Sequence, residues 1–196
     1  MDTSKFKLIR GARILQQIED ESALGERSSY QELERSAITA FPRTKKRQHA
    51  VHPVQIVRTD FTPYIGTRNL LVRGQAKSGT YNNVFYKPML FFNEIQFEDE
   101  DTNENVSFKV AGNEDQHMQP IDLSDNIVRV RCDCLDFYFR FSPWDFSNDD
   151  LFGPKPKPYV RKTNTYPPVN PTRSPGICKH IMKLVLTLRD ARMLKR

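Results

Sequence analysis

Hydrophobic positions along the chain change their spacing twice, and the changes divide it into three kinds of structure. Over residues 3 to 24, Phe6, Ile9, Leu15 and Ile18 recur at roughly helical spacing, with Leu8 and Ile14 widening the stripe. This predicts a first helix. A second is predicted over 29 to 41, where Ser29 and Glu32 form an S-x-x-E capping box and Leu33, Ala37 and Ala40 fall on one side. The intervening "ALGERSS" suits a turn. From Val54 the spacing shortens to alternation. "VQIVRTDF" and "NLLVRGQA" predict two strands. "NVFYKPMLFFNEIQF" predicts one long strand or two, because Pro88 has no N–H to give to a ladder. "VSFKV" follows. "NIVRVRCDCLDFYFRF" is the strongest strand pattern, with Val128, Val130, Cys132 and Cys134 on one face and Arg129, Arg131 and Asp133 on the other. Five strands joined by short polar turns predict a mostly antiparallel sheet.

The third kind of structure begins at residue 142. Eight prolines in residues 142 to 177 argue against regular elements. Trp144, Phe146, Phe152, Tyr159 and Tyr166 argue against disorder, so an ordered loop lying on a surface is expected. From about Cys178 a last helix is predicted, with Ile181, Leu184, Val185 and Leu188 at i, i+3, i+4 and i+7. Arg189, Arg192, Lys195 and Arg196 suit the negative end of its dipole. The expected fold class is α+β. A helical arm over 1–42 precedes a β-rich domain over 43–196, which contains the proline-rich loop (142–177) and the C-terminal helix.

Composition narrows the setting. A chain of 196 residues with 38% hydrophobic positions suits one domain with a modest core and an appended arm. Thirteen prolines against eight glycines imply stiff connections. The formal charge of +6 favours anionic partners, nucleic acid or acidic protein, without choosing between them. "FEDEDTNENV" (97 to 106) carries the opposite charge, so the chain presents surfaces of both signs. No apolar run approaches the roughly 18 residues of a bilayer span, and no membrane association is expected. The first residues lack the apolar core of a secretory leader. Without a leader, three cysteines predict metal ligands or buried thiols rather than disulfides.

All three cysteines fall in two short motifs, each a pair with one residue between: Cys132 and Cys134, then Cys178 and His180, with 43 residues separating Cys134 from Cys178. On a strand, positions i and i+2 face the same way, so the first pair can aim both sulfurs at one point. A loop-to-helix junction after Pro175-Gly176 can do the same for the second. Together they form Cys3His, a closed set with no open coordination position, for which zinc is the commoner occupant. Small buried thiols beside a capping histidine are the plainer alternative. An iron–sulfur cluster is another.

The pattern resembles the SWIM-type zinc finger, C-x-C-x(n)-C-x-H, over residues 128 to 185. That resemblance implies a structural zinc on Cys132, Cys134, Cys178 and His180, with a β-hairpin supplying the first pair and a helix the second. The spacer here is longer and richer in proline than in the family. A wider run is similar to small virion structural proteins of tailed bacteriophages, T4-like and marine. It comprises Cys132, Cys134, Asp136-Phe137, "PYVRKTN" (158 to 164), "PPVNP" (167 to 171) and "PGICKH" (175 to 180), within about residues 40 to 188. This implies a structural subunit of the neck or of the tail and its baseplate. It would be assembled in the host cytoplasm, with other virion proteins as partners in a multi-subunit assembly. A nucleic-acid-binding or regulatory module of SWIM type is the alternative.

Other candidates are weaker. "RTKKR" (43 to 47) suits phosphate contact or a solvated linker. Lys155, Lys157, Arg161 and Lys162 alternate with Pro154, Pro156, Pro158 and Tyr159 in an extended run able to track a partner. His49, His52 and His117 stand apart from any acid or cysteine pair in sequence and suit surface roles. Asp136 is a candidate acceptor for His180 or a cap on a local turn. Trp144 and the phenylalanines of "DFYFRF" are expected in the core. The sequence carries no glycine-rich phosphate loop, G-x-S-x-G or H-E-x-x-H, and no catalytic role is expected.

Overall fold

The structure, a computed structural model, describes residues 27–42, 53–78, 83–110, 115–157, 159, 165 and 167–195. The helix expected over 3–24, the basic "RTKKR", His49, His52, Pro158, Arg161, Lys162 and Tyr166 lie outside the described residues. Four α-helices, α1 (Tyr30–Ala40), α2 (Leu135–Arg140), α3 (Ser142–Ser147) and α4 (Lys179–Asp190), accompany eight strands among the described residues. The fold is α+β, as the spacing predicts.

The helix predicted over 29–41 forms as α1. Ser29 Oγ accepts from the Glu32 N–H at 3.3 Å, and the Glu32 carboxylate accepts from the Ser29 N–H at 2.8 Å, closing the capping box. Leu33 and Ala37 are buried in the common core with Tyr30 and Phe41. The segment 30–41 is thus part of the core.

The main sheet is built from β1 (Gln55–Tyr64), β2 (Asn69–Lys77), β4 (Met89–Phe92) and β8 (Val128–Arg131), in the order β1-β2-β4-β8 and antiparallel throughout. A 3-10 turn at Ile65–Thr67, followed by Arg68 at φ 53°, joins the first two. The short β3 (Phe85–Tyr86) also pairs with β2. Pro88 separates β3 from β4, and its carbonyl accepts from the Gly74 N–H at 2.8 Å. The second reading of "NVFYKPMLFFNEIQF" is therefore the correct one. A smaller sheet comprises β5 (Phe97–Glu98), β6 (Val106–Lys109) and β7 (Asp115–Met118), in the order β5-β7-β6. The sequence pattern did not predict β7, because "DQHM" has neither alternation nor branched residues.

Both faces of the central strands are covered. On one, Leu70, Val72, Leu90, Phe92, Val128 and Val130 meet α1 and α4 in a single cluster. Ile181, Leu184, Val185 and Leu188 of α4 are buried there, and each such side chain contributes roughly 1.5–3 kcal/mol. Gly74 makes this approach possible, since a Cβ there would lie 3.0 Å from Leu184 Cδ1. On the other face the row Leu71–Phe91–Arg129 runs across three strands. Phe152 stacks on Phe91, with ring centroids 5.0 Å apart. Arg129 is buried and donates to Asp149 at 3.1 Å, and Asp149 also accepts from Arg27 at 2.7 Å.

Two expectations for the second half are corrected. The last strand stops at Arg131, and "LDFYFR" is helix α2. Phe137 and Phe141 alternate as a strand would, but they are also i and i+4, and both are buried on one helical side. The proline-rich region contains helix α3, which Pro143 starts rather than breaks, because the first turn has no N–H partner to lose. Of the expected core aromatics, Phe137 and Phe141 are buried, whereas Phe139 and Trp144 are only half-buried.

Candidate metal centre

Two distant segments deliver four ligand atoms to one point. Cys132 follows the end of β8. Asp133 then turns the chain, its carboxylate accepting from the Lys87 N–H at 2.7 Å. Cys134 caps α2 in an extended conformation (φ −72°, ψ 146°), and its Sγ accepts from the Phe137 N–H at 3.4 Å. From the other side, Cys178 is the N-cap of α4 (φ −91°, ψ 165°), and His180 lies in its first turn. The two cysteines of the first motif therefore do not share one strand face. One leaves a strand and the next caps a helix, and the turn between them swings both sulfurs inward.

The three Sγ atoms and one His180 nitrogen all lie within 4.8 Å of one another. Cys132 Sγ and Cys178 Sγ each stand 3.9 Å from His180 Nδ1. Zinc–sulfur bonds of about 2.3 Å and zinc–nitrogen bonds of about 2.0–2.1 Å, at tetrahedral angles, place sulfur and nitrogen about 3.6 Å apart. The sulfur–nitrogen spacing fits a four-coordinate ion with a small contraction, and the widest pair of the set, within 4.8 Å, closes by about 1 Å. All four side chains are buried, at 4%, 3%, 1% and 5% exposure in sequence order.

The electrostatics suit a cation. Burial drives the Cys132 and Cys178 thiols up, away from ionisation. Hydrogen bonds from Cys132 and then Cys178 hold Cys134 far below the usual thiol range. A divalent ion held there would displace the thiol protons and leave a net charge of about −1 on three thiolates. Cys134 and Cys178 each cap a helix, so N–H groups and the positive dipole ends of α2 and α4 converge on that charge.

Residues that the motif does not reveal hold the ligands in place. Tyr86 of β3 lies against the His180 ring, with centroids 4.5 Å apart and planes 33° apart. Gly176 passes so close to two helices that a Cβ would stand 2.8 Å from Phe141 Cε1 and 3.0 Å from Ala37 Cβ. Its N–H donates to Asp145 Oδ1 at 2.7 Å. Asp145 is fully buried and its Oδ2 has no hydrogen-bond partner among the described residues; burial raises its pKa well above the usual carboxylate value, with the nearby Asp150 adding to the rise. Asn170, from "PPVNP", is also buried. Its amide donates to the Arg140 and Ser174 carbonyls, both at 2.8 Å, and its Oδ1 accepts from the Thr172 hydroxyl and the Ser174 N–H. These bonds fix the path of the chain into the second motif. Only the proximity of Asn170 and Gly176 to proline in the sequence hints at such roles.

Other candidates separate from the centre. Asp136 pairs with Arg140 at 3.0 Å instead of His180. Arg140 is itself buried, with its guanidinium 4.6 Å from the Phe41 ring centroid. Arg131 donates to the carbonyls of Phe152 and Pro154. His117 is not isolated from acids in space. Its Nδ1 is 2.9 Å from Ser107 Oγ and 3.8 Å from Asp101. Lys155 and Lys157 are exposed, and Lys155 Nζ lies 5.2 Å from the Phe146 ring centroid.

No described helix is long and apolar enough to cross a membrane. No family model, curated protein or solved structure matches the chain, so the likeness to SWIM-type fingers and phage proteins stands on the motif residues alone. What the geometry itself supplies is a buried Cys3His group able to hold a metal ion.

Proposed function

We propose that the metal is zinc and that its role is structural: it ties the exit of β8 to the start of α4 and closes the proline-rich segment into a fixed loop. The convergence of three thiol sulfurs and one imidazole nitrogen within 4.8 Å carries this reading. Four protein donors, all buried, fill a tetrahedral ion and leave no position for substrate or water, which favours a structural over a catalytic metal. Zinc analysis of purified protein, with unfolding measured in chelator, tests it. One zinc per chain and a chelator-induced loss of stability are expected.

We further propose that the chain is a structural subunit of a tailed-phage virion, in the neck or in the tail and baseplate. Its contacts with neighbouring subunits would be made by the loop and by residues before α1. The resemblance of "PYVRKTN", "PPVNP" and "PGICKH" to such proteins supports this. So does the part played by two of them, since Asn170 of "PPVNP" and Gly176 of "PGICKH" serve the path of the chain and not a reactive centre. Mass spectrometry of purified particles is the direct test. A nucleic-acid-binding module is separated from this reading by salt dependence, because phosphate contacts weaken steeply and linearly in log salt.

A further inference from the structure

Beside the metal centre the surface is neither flat nor neutral. A hollow of about 510 Å³ is walled by Lys87, Arg131, Cys132, Asp133, Lys155 and Lys157, with Leu135 and Tyr138. A second, of about 520 Å³, is walled mainly by Tyr138, Phe139, Trp144, Phe146, Tyr159 and Val169. Both include Tyr138, Lys155, Pro156 and Lys157, so they form one groove divided by the Lys155–Lys157 segment. The floor is apolar: Leu135, Tyr159 and Val169 are 70%, 57% and 50% exposed. The rim is basic. Lys87, Lys155 and Lys157 have no carboxylate within ion-pair distance among the described residues.

The complementary surface is on the same chain. Between β5 and β6 the run Asp99–Asn105 forms an exposed loop shaped by its own bonds. The Asn105 side chain donates to the Glu100 carbonyl at 2.7 Å and accepts from the Thr102 N–H at 3.2 Å. Asp99 and Glu100 are exposed, and neither has a cation within ion-pair distance among the described residues. The loop cannot reach its own groove. Its tip, Asn103 to Asn105, shares a cavity wall with Arg189 to Arg192 at the C-terminal end of α4. The groove includes Cys132, at the N-terminal end of α4. Twelve helical residues, about 18 Å, separate the two ends.

We propose that the groove receives the Asp99–Asn105 loop of a second copy of this chain. The contact is head-to-tail, with the carboxylates of one molecule on the lysine rim of the next. Such a contact joins different patches on the two molecules: passed on to a third molecule it builds a ring or an open filament, and returned between the same two it closes a two-fold dimer. The inference goes beyond the metal reading, and its test variants leave the four ligands untouched.

Sedimentation velocity of the full chain across a concentration series tests it. At low salt the mass should rise with concentration, and at about 1 M salt, where the Debye length is about 3 Å, the chain should be monomeric. Lys155→Glu/Lys157→Glu and Asp99→Lys/Glu100→Lys should each weaken self-association by about tenfold or more. In an equimolar mixture each intact groove meets an intact loop and each reversed groove meets a reversed loop, so self-association should return although neither variant alone shows it. Unchanged zinc content and circular dichroism separate this result from misfolding or loss of the metal. A wild-type chain that stays monomeric at low salt overturns the proposal, including one that binds a single-stranded oligonucleotide through the groove instead. Assembly indifferent to both charge reversals, or a mixture that stays as dissociated as the separate variants, overturns it too.

Discussion

Replacing Cys178 by serine isolates what the metal does for the fold. The centre closes a loop whose ends are Cys134 and Cys178, with 43 residues between them. Treated as a cross-link, a loop of that size removes about 13 cal/mol/K from the unfolded chain, or about 4 kcal/mol at room temperature. Small domains are stable by only about 5–15 kcal/mol, so the loss is a large fraction of the whole. With a urea dependence of about 2 kcal/mol per molar, the unfolding midpoint should fall by about 2 M. Chelator added to the wild type should produce a similar shift. Added to Cys178→Ser it should produce almost none, because the two perturbations remove the same interaction and cannot add. The assay is urea unfolding followed by circular dichroism, with and without chelator, beside metal analysis of each sample. Equal midpoints for variant and wild type would refute the reasoning. So would a chelator effect that survives intact in the variant, since the metal would then be held elsewhere.

The remaining predictions concern the supports of the centre. Tyr86→Ala should lower zinc affinity about 10–100-fold in competition with a chromophoric chelator, and Tyr86→Phe should leave it near wild type, because the ring and not the hydroxyl faces His180. Gly176→Ala should cost about 1–3 kcal/mol in thermal or urea unfolding, and more than Gly74→Ala. At 176 the added methyl meets a buried ring edge and a Cβ, whereas at 74 it meets the mobile end of Leu184 and the Pro88 ring. Asp145 has a folded-state pKa raised by burial, so the folded protein holds a proton that the unfolded chain releases above about pH 4. Its contribution to stability is complete below that pH and is lost as pH rises toward the folded value. The stability difference, Asp145→Asn minus wild type, should therefore become more favourable to the variant from pH 4.5 to 8, and a flat difference would count against a buried neutral carboxyl. Asn170→Ala leaves two carbonyls without their amide donor and should cost about 1–3 kcal/mol, with earlier proteolysis near residues 167–175.

The ligand set was legible in the sequence because two motifs used every cysteine in the chain. Their geometry was not. Cysteine is absent from the usual list of helix caps, so nothing marked Cys134 as the start of α2, and the aromatic run after it satisfies both periods at once. Ser142-Pro143 is a helix start that eight prolines in the region obscured. Helix α1 could be read because its capping box and stripe agree, and helix α4 because its stripe is unbroken. The small second sheet could not, because β7 is held by pairing with two neighbours and not by any preference of its own residues. The supporting residues Tyr86, Asp145 and Asn170 were invisible for a related reason: each acts across a distance in sequence that only the folded chain brings to nothing.

The separation of the two ligand pairs also sets an order of events in synthesis. Cys132 and Cys134 leave the ribosome well before Cys178, and at about 5–20 residues per second they wait about 2–9 s for the rest of the centre. During that interval α4 does not exist, and the sheet face it covers through Leu184 and Val185 is bare. A chain halted there has the residues of its strands but neither the covering helix nor two of the four ligands. One short segment supplies both, so a complete metal centre forms no earlier than the cover of the core.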